Sequence, residues 1–187
     1  SSIAEARLLS AMAETRGLTL FATWHSRFAA MVEPARQLLA GRAIRSIAIE
    51  WKEDVLHWHP GQEWIWQRGG LGVFDPGINA LSIATRILPE GFFFEEAELY
   101  FPANRAAPIA ASLRGRTASG SPIIAEFDWR QTGRQIWDIV VECDEGQVVL
   151  SEGGGQLAAD GSGRTGGEDR EYRDLYATFV ALVEKGA

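Results

Sequence analysis

The sequence predicts an α+β fold built around a mainly antiparallel β-sheet. One observation behind this prediction is a run of consecutive strand-like segments in the second half of the chain, with few helices between them. Strands that follow one another through short turns pair antiparallel, because a parallel pair needs a long crossover. The other is the presence of helical patterns at both ends of the chain. With 187 residues, 46% of them hydrophobic, the chain can bury a substantial core.

Four segments have the apolar spacing of amphipathic helices. Ser2 is suited to cap the first helix and Gly17 to end it, Gly41 ends the second, and Pro89 follows the third. The predicted helices are residues 2–16, 28–40, 70–88 and 168–185. The aromatic and aliphatic residues on one face of the last helix are Tyr172, Leu175, Tyr176, Phe179 and Leu182.

Strands are predicted where short apolar or alternating runs are bounded by turn residues. Residues 18–24 are predicted to be a short buried strand directly after the first helix, an order typical of an α/β unit. Residues 152–167 are rich in glycine and are predicted to form a mobile loop. The other predicted strands are residues 44–51, 94–101, 109–116, 122–130, 135–142, 147–151 and 155–159.

Composition narrows the classes of partner and compartment. The net charge of −7 disfavours nucleic acid or an anionic membrane as a partner, since either would favour a basic patch. Cys143 is the only cysteine, so no internal disulfide can form, which favours a reducing, cytoplasmic compartment. The sequence has no apolar run of about 18 residues, and its first residues lack the pattern of a signal peptide.

Residues 50–79, EWKEDVLHWHPGQEWIWQRGGLGVFDPGIN, have the most unusual composition in the chain. Four of the seven tryptophans and two of the three histidines lie here, beside several carboxylates. Indole faces can stack on the C–H faces of sugars, and carboxylates, amides and imidazoles bind hydroxyls. The segment therefore predicts a pocket for a polyhydroxylated small molecule. Trp58, Trp64 and Trp66 are either platforms for such a ligand or core residues.

Asp75 and Asn79 are the first candidates for chemistry. On a helix they share a face, which Ser82 and Arg86 continue. The opposite, apolar face is predicted to consist of Leu71, Phe74, Ile78 and Leu81. Such a helix would pack on a sheet and present Asp75 and Asn79 to a cleft. The alternative is that Asp75 is a plain N-cap, with Pro76 as the first helical residue.

The three histidines allow both functional and structural interpretations. His59, in the sequence WHPG, is either a ligand contact or a solvated loop residue. His57 and nearby carboxylates could suggest a metal site, but the HExxH spacing and an evident third ligand are lacking, so no metal is predicted. His25 follows the predicted strand 18–24, where residues often face ligands. The alternative for His25 is a buried, hydrogen-bonded imidazole.

Several of these stretches resemble the second domain of the glucose–fructose oxidoreductase / inositol dehydrogenase family. The resemblance lies in RF at 27–28, the helix ending in Gly41, the strand after it and GGLGVFDPGIN. EDVLHWHPGQEWIW and GGLGVFDPGINALSIATRILP resemble the aldose 1-dehydrogenase branch in particular, and DREYRDLYATFVALV also fits. The likeness covers nearly the whole chain and is strongest over residues 21–88.

This resemblance implies an open sheet with helices on one face. Residues 1–24 would be the last helix and strand of a Rossmann domain, and residues 25–187 a substrate-binding and oligomerisation domain. The family's glycine-rich dinucleotide turn and its Glu-Lys-Pro motif, whose lysine takes part in catalysis, are expected before this chain. The family's last helix is expected after it. A homodimer or homotetramer formed through the sheet is also implied.

The resemblance further implies an NAD- or NADP-dependent dehydrogenase that oxidises the C1 hydroxyl of a pyranose, such as D-galactose or L-arabinose, to the lactone. Asp75 matches the family's catalytic aspartate, which acts with the lysine. Asn79 stands where many members carry His and the aldose branch carries Asn, so it is expected to bind and orient a hydroxyl at the catalytic site. The expected sugar contacts are Trp58, His59, Glu53 and His25.

Two other functions are compatible with the same residues. One is a non-catalytic sugar-binding or oligomerisation module that uses the cleft without a cofactor. The other is a family oxidoreductase with a different substrate, such as biliverdin or a dihydrodiol. The resemblance of the WHPG region favours an aldose.

Overall fold

The computed structural model describes residues 2–186, which form several helices and a single sheet that is covered by helices on one face. The helices are α1 (Ile3–Arg16), α2 (Val32–Leu39), α3 (Val55–Trp58), α4 (Phe74–Ile87) and α5 (Glu171–Lys185). The strands are β1 (Ile44–Lys52), β2 (Phe92–Tyr100), β3 (Ala110–Thr117), β4 (Pro122–Asp128), β5 (Ile136–Cys143), β6 (Gly146–Ser151), β7 (Gln156–Ala159) and β8 (Thr165–Gly166). A 3₁₀ turn, His25–Phe28, precedes α2.

The eight strands have the order β2-β3-β4-β1-β5-β6-β7-β8. β1 pairs parallel with β4, and every other pair in this order is antiparallel. The predicted open, mainly antiparallel α+β sheet is therefore confirmed. β1 lies in the middle of the sheet, so the residue that follows it emerges at the end of the central strands.

Alternate residues of the central strands form the core. Ile47 and Ile49 of β1 and Ile123 of β4 are buried, and α2 and α4 cover this face of the sheet. Because side chains along a strand alternate between faces, the intervening residues point away from the helices. Ile124 is one of these and is 44% exposed.

Helix α1 has the predicted ends, yet it buries none of its residues. Ser2 and Glu5 form a capping box, and Gly17 ends the helix with a left-handed conformation. The prediction of a buried strand over 18–24 is wrong within residues 2–186. That segment pairs with no strand and most of it is exposed, because no neighbouring strand lies beside it to supply hydrogen bonds.

The glycine-rich segment 152–167 is more ordered than the predicted loop. It contains a 3₁₀ turn and the strands β7 and β8. Gly154 explains part of this difference, because its carbonyl accepts a hydrogen bond from the backbone N–H of Met31 at 2.9 Å. A Cβ at Gly154 would lie 2.8 Å from Cβ of Ala29, so glycine permits the close packing on the helical layer.

The buried face of α4 overlaps the predicted one only in part, since Phe74 and Leu81 are partly buried against the core. Gly77, Ala80, Ile83, Ala84 and Ile87 are buried, whereas Leu71 and Ile78 are 49% and 39% exposed. Small residues allow the helix axis to lie close to the sheet, and the ring of Phe127 packs directly beneath Gly77. No helix within residues 2–186 is long and apolar enough to cross a membrane.

Candidate active site

The end of β1 leads directly into the candidate site. Glu53 follows the strand, and Asp54 caps the one-turn helix α3 because its Oδ1 accepts a hydrogen bond from the backbone N–H of Leu56 at 2.8 Å. This helix turns the chain and places Trp58 and His59 at its end.

The carboxyl group of Glu53 is buried and held by two indoles. The residue is 6% exposed. Trp129 Nε1 donates to Oε1 at 3.1 Å, and Trp137 Nε1 donates to Oε2 at 3.0 Å. Burial raises the pKa of Glu53 above its ordinary value, although both indole N–H groups and the imidazole of His59 oppose the rise. A carboxyl group in such surroundings exchanges its proton nearer to neutral pH than a solvated glutamate does.

His59 lies between two carboxyl groups. Its Nε2 is 3.6 Å from Oδ2 of Asp75 and 3.9 Å from Oε1 of Glu53, and its Nδ1 is 3.3 Å from Oε1 of Gln62. Two polar atoms 3.6 Å apart can both reach one hydroxyl placed beside them. Side-chain exposure rises from 8% at Glu53 through 17% at His59 to 28% at Asp75. The Glu53–His59–Asp75 group therefore opens outward on the side of Asp75.

The first turn of α4 holds Asp75. The helix begins at Phe74, and the backbone N–H of Asp75 donates to the carbonyl of Gly72 at 2.9 Å. Gly72 has a φ of 54°, and a Cβ there would lie 2.3 Å from the carbonyl oxygen of Pro108. The interpretation of Asp75 as a plain N-cap is wrong, because Val73 occupies that position and Asp75 is the second helical residue.

Asn79 lies one turn after Asp75 on the same face of α4 and is partly exposed. The predicted polar stripe does not continue evenly from there to Arg86. Ser82 is buried, and its Oγ donates to the backbone carbonyl of Asn79 at 2.8 Å. The accessible polar part of this face therefore consists of Asp75 and Asn79 near the helix start.

The tryptophans of residues 50–79 have different environments. Trp58 and Trp64 are 46% and 54% exposed, so neither is a core residue. Trp58 contacts the ring of Trp137 edge-on, with centroids 5.6 Å apart. Trp66 instead packs on Trp129, with centroids 5.2 Å apart. Trp58 is thus an indole beside the Glu53–His59–Asp75 group with part of its surface accessible.

His25 contacts helix α5 rather than the Glu53–His59–Asp75 group. Its Nδ1 is 2.6 Å from Oε2 of Glu171, and its ring stacks on Tyr172 with centroids 5.1 Å apart. Its role as a sugar contact stays a prediction.

Trp129, Trp137 and Gln62 complete the site, and none of them was a candidate from the sequence. Trp129 follows β4 and Trp137 lies in β5, the two strands that flank β1. The sequence offered only a weak signal, a tryptophan near the end of one predicted strand and another near the start of the next. Their meeting at Glu53 depends on strand order, which local pattern does not reveal.

A cavity of about 430 Å³ adjoins the site and is lined in part by His59 and Trp129. This volume lies within the range of small-molecule pockets, about 300–1,000 Å³. A larger cavity of about 780 Å³ lies between the 3₁₀ turn and α5 and is lined by other residues. The smaller one is the better candidate, because His59 lines it, whereas no member of the Glu53–His59–Asp75 group lines the larger cavity.

Residues 2–186 contain no group of three or more His, Cys, Asp or Glu side chains arranged to hold a metal ion. The glycine spacing of a dinucleotide-binding turn does occur once, as GSGRTG at residues 161–166. It joins the antiparallel strands β7 and β8, whereas a dinucleotide-binding turn joins a strand to a helix. This segment is therefore a hairpin connection.

Comparison with known proteins shows which fold the chain shares. No family model matches the chain. The crystal structure of GenD2, from gentamicin A biosynthesis and in complex with NAD, matches 99% of this chain and 59% of its own, with a TM-score of 0.80 and 18% identity. At that identity the match shows the fold alone. The fold is that of the second domain of glucose–fructose oxidoreductase / inositol dehydrogenase proteins.

Two relatives with higher sequence identity carry the name of a particular dehydrogenase. A galactose 1-dehydrogenase from Pseudomonas fluorescens is 47% identical over 156 residues, which are 83% of this chain and 51% of that protein. The crystal structure of a D-galactose-1-dehydrogenase protein from Rhizobium etli is 56% identical, with a TM-score of 0.94, over 99% of this chain and 59% of its own. The chain thus spans little more than half of these relatives, and its resemblance to the galactose 1-dehydrogenase branch is confirmed.

Proposed function

We propose that this chain is the substrate-binding portion of an NAD- or NADP-dependent aldose 1-dehydrogenase. The reaction is oxidation of the C1 hydroxyl of a pyranose, such as D-galactose or L-arabinose, to the lactone. The observation that carries the proposal is the Glu53–His59–Asp75 group, set beside an exposed indole in a chain 56% identical to a galactose dehydrogenase.

Asp75 is the catalytic residue within this chain. Oxidation at C1 removes a hydride from the carbon and a proton from the hydroxyl, so the hydroxyl needs a hydrogen-bond acceptor. The carboxylate of Asp75 is the most exposed of the three groups and can accept that hydrogen bond, in concert with a lysine of the whole protein outside this chain. Asn79, one turn along α4, binds a neighbouring hydroxyl and so fixes the ring relative to Asp75.

The sugar contacts are Trp58, His59, Glu53 and His25. The exposed indole of Trp58 offers an apolar surface to ring C–H groups. His59 and Asp75 together bind one hydroxyl, as their 3.6 Å separation allows. Glu53 supplies a second acceptor deeper in the site. His25 would reach the sugar only by its Nε2 side, because Nδ1 is engaged by Glu171.

The nicotinamide would lie on the side where Asp75 is exposed, because a hydride acceptor must approach C1 next to the group that takes the hydroxyl proton. The nicotinamide, when bound, supplies the acceptor for the C1 hydride. We place the residues that hold the dinucleotide outside this chain. Helix α1 is then the last helix of the dinucleotide-binding domain, and its exposed apolar side chains, among them Ile3, Leu8 and Leu9, pack against the rest of that domain.

We also infer a homodimer or homotetramer assembled through the uncovered face of the sheet, and a cytoplasmic location. Ile124 is exposed at the centre of that face. Light scattering of the whole protein should give the mass of two or four subunits, and Ile124→Lys should lower that mass. A monomeric wild-type protein would contradict this assembly.

The test of the function is whether the whole protein reduces NAD or NADP, which is measured by the absorbance of the reduced cofactor. D-Galactose and L-arabinose should be oxidised with appearance of the lactone, whereas inositol, which has no anomeric carbon, should react much more slowly. Absence of turnover of both aldoses with either cofactor would overturn the proposal and favour a sugar-binding module or another substrate.

A further inference from the structure

The buried carboxyl group of Glu53 receives one indole N–H on each of its oxygens. We propose that Trp129 and Trp137 are positioning residues that fix Glu53, and through it His59, in the orientation that receives the sugar. This inference rests on the proposed aldose site and deepens it, because it assigns a role to two residues that lie in other strands.

The geometry accounts for the positioning. The terminal torsion of a glutamate is broad, so a single hydrogen bond leaves the carboxyl plane free to rotate. Here Trp129 binds Oε1 at 3.1 Å and Trp137 binds Oε2 at 3.0 Å. Two donors from opposite neighbours of β1, one on each oxygen, define the plane of the group.

Trp129 also connects Glu53 to His59. The oxygen that it binds is the one 3.9 Å from Nε2 of His59, and its ring lies 5.2 Å from the imidazole, centroid to centroid. Trp129 is only 1% exposed, so it acts on a ligand through Glu53 and His59. Trp137 makes the corresponding connection on the other side, because its ring contacts Trp58.

The deciding variant is Trp129→Phe in the whole protein, which keeps most of the ring and removes the N–H. The loss of a hydrogen bond to a charged group corresponds to about a ten- to hundredfold change in an equilibrium or rate constant. We expect kcat/KM for D-galactose to fall by about that factor, mostly through a higher KM. The matched control is Trp51→Phe, the same substitution in a buried indole of β1 that packs on Trp137, which should change kcat/KM less than about threefold.

The pH profile separates positioning from a general loss of packing. The groups that face Glu53 are His59, Asp75 and the two indoles, and each indole N–H lowers the pKa of Glu53. Removing one of them therefore raises that pKa further. The acid limb of kcat/KM should move to higher pH in Trp129→Phe and stay in place in Trp51→Phe. A loss of activity with an unmoved limb, or equal losses in both variants, would overturn the positioning role.

An activity-free measurement keeps this inference separate from the proposed function. In the whole protein with ¹⁵N-labelled tryptophan, Glu53→Gln should shift the indole N–H resonances of Trp129 and Trp137 and leave that of Trp66 nearly unchanged. Unshifted resonances would overturn the inference even in an active enzyme. If the resonances shift but the wild type does not oxidise aldoses, the proposed function is overturned, whereas the hydrogen bonds from the two indoles to Glu53 are established.

Discussion

Asp75→Asn in the whole protein is expected to lower kcat for D-galactose by about two to four orders of magnitude, with a small change in KM. The carboxamide keeps the size and the hydrogen bonding of the side chain, yet it cannot take up a hydroxyl proton. Asp75 is 3.6 Å from His59 and is the part of the site nearest to the outside, so no other carboxylate of the Glu53–His59–Asp75 group can replace it. Steady-state kinetics over a range of sugar concentrations check this expectation.

Asp174→Asn is the matched control. Asp174 is likewise an acidic residue in the first turn of a helix, in α5, so it shares the favourable interaction of Asp75 with the helix dipole. Both variants should therefore lose similar, small amounts of stability. Equal kcat values for the two variants would show that Asp75 has no part in the chemistry.

Gly72→Ala is expected to lower the stability of the fold strongly. Its φ of 54° costs about 1–2 kcal/mol for a residue with a side chain. Its Cβ would also lie 2.3 Å from the carbonyl oxygen of Pro108, a backbone atom that accepts the N–H of Val73 at 2.8 Å. The free energy of unfolding should fall by about 3 kcal/mol or more, because the backbone must move. Denaturant unfolding of the whole protein measures the change.

Gly61→Ala distinguishes the two causes. Gly61 has a φ of 72°, but a Cβ there would meet no atom within 4 Å. It should therefore show only the conformational cost of about 1–2 kcal/mol. Gly72→Ala should additionally lose activity, because a displaced start of α4 moves Asp75. Equal losses of stability in both variants would mean that the contact with Pro108 is unimportant.

The close contacts at Gly72 also explain part of the pattern GGLGVFDPG. A Cβ at Gly70 would lie 2.5 Å from the carbonyl oxygen of Ile65, so this glycine too lies directly against backbone. These glycines allow the loop after Trp66 to pack tightly and to deliver the start of α4, and with it Asp75, to the end of β1. In the proposed function, these glycines thereby place the catalytic side chain.

Local sequence patterns were sufficient to predict most of the helices and strands. Ser2 and Gly17 mark the ends of α1 because capping depends on neighbours in sequence. Residues 18–24 do not form the predicted strand, since a strand also requires a partner strand, which sequence periodicity does not indicate. The buried face of α4 also differs in part from the prediction, because it includes small residues such as Gly77 and Ala80, while the bulkier Ile78 is partly exposed.

The candidate site was predictable only in part. Composition points to Asp75, Asn79, Trp58 and His59, because these residue types cluster within thirty positions of the sequence. The choice of Glu53 and the roles of all five residues follow from the family resemblance. The structure brings His59 between Glu53 and Asp75, an arrangement that no local spacing indicated. The two indoles that hold Glu53 come from strands on either side of β1, and the sheet order that joins them is a property of the whole fold.

The proposed oxidation at C1 is tested most directly by following the hydrogen on that carbon. The whole protein would be incubated with NAD or NADP and D-galactose that carries deuterium at C1, and the reduced cofactor would be analysed by mass spectrometry. We expect reduced cofactor that is heavier by one deuterium, together with galactonolactone, and neither product with Asp75→Asn at comparable times. Reduced cofactor without deuterium would contradict oxidation at C1 and the function proposed for this site.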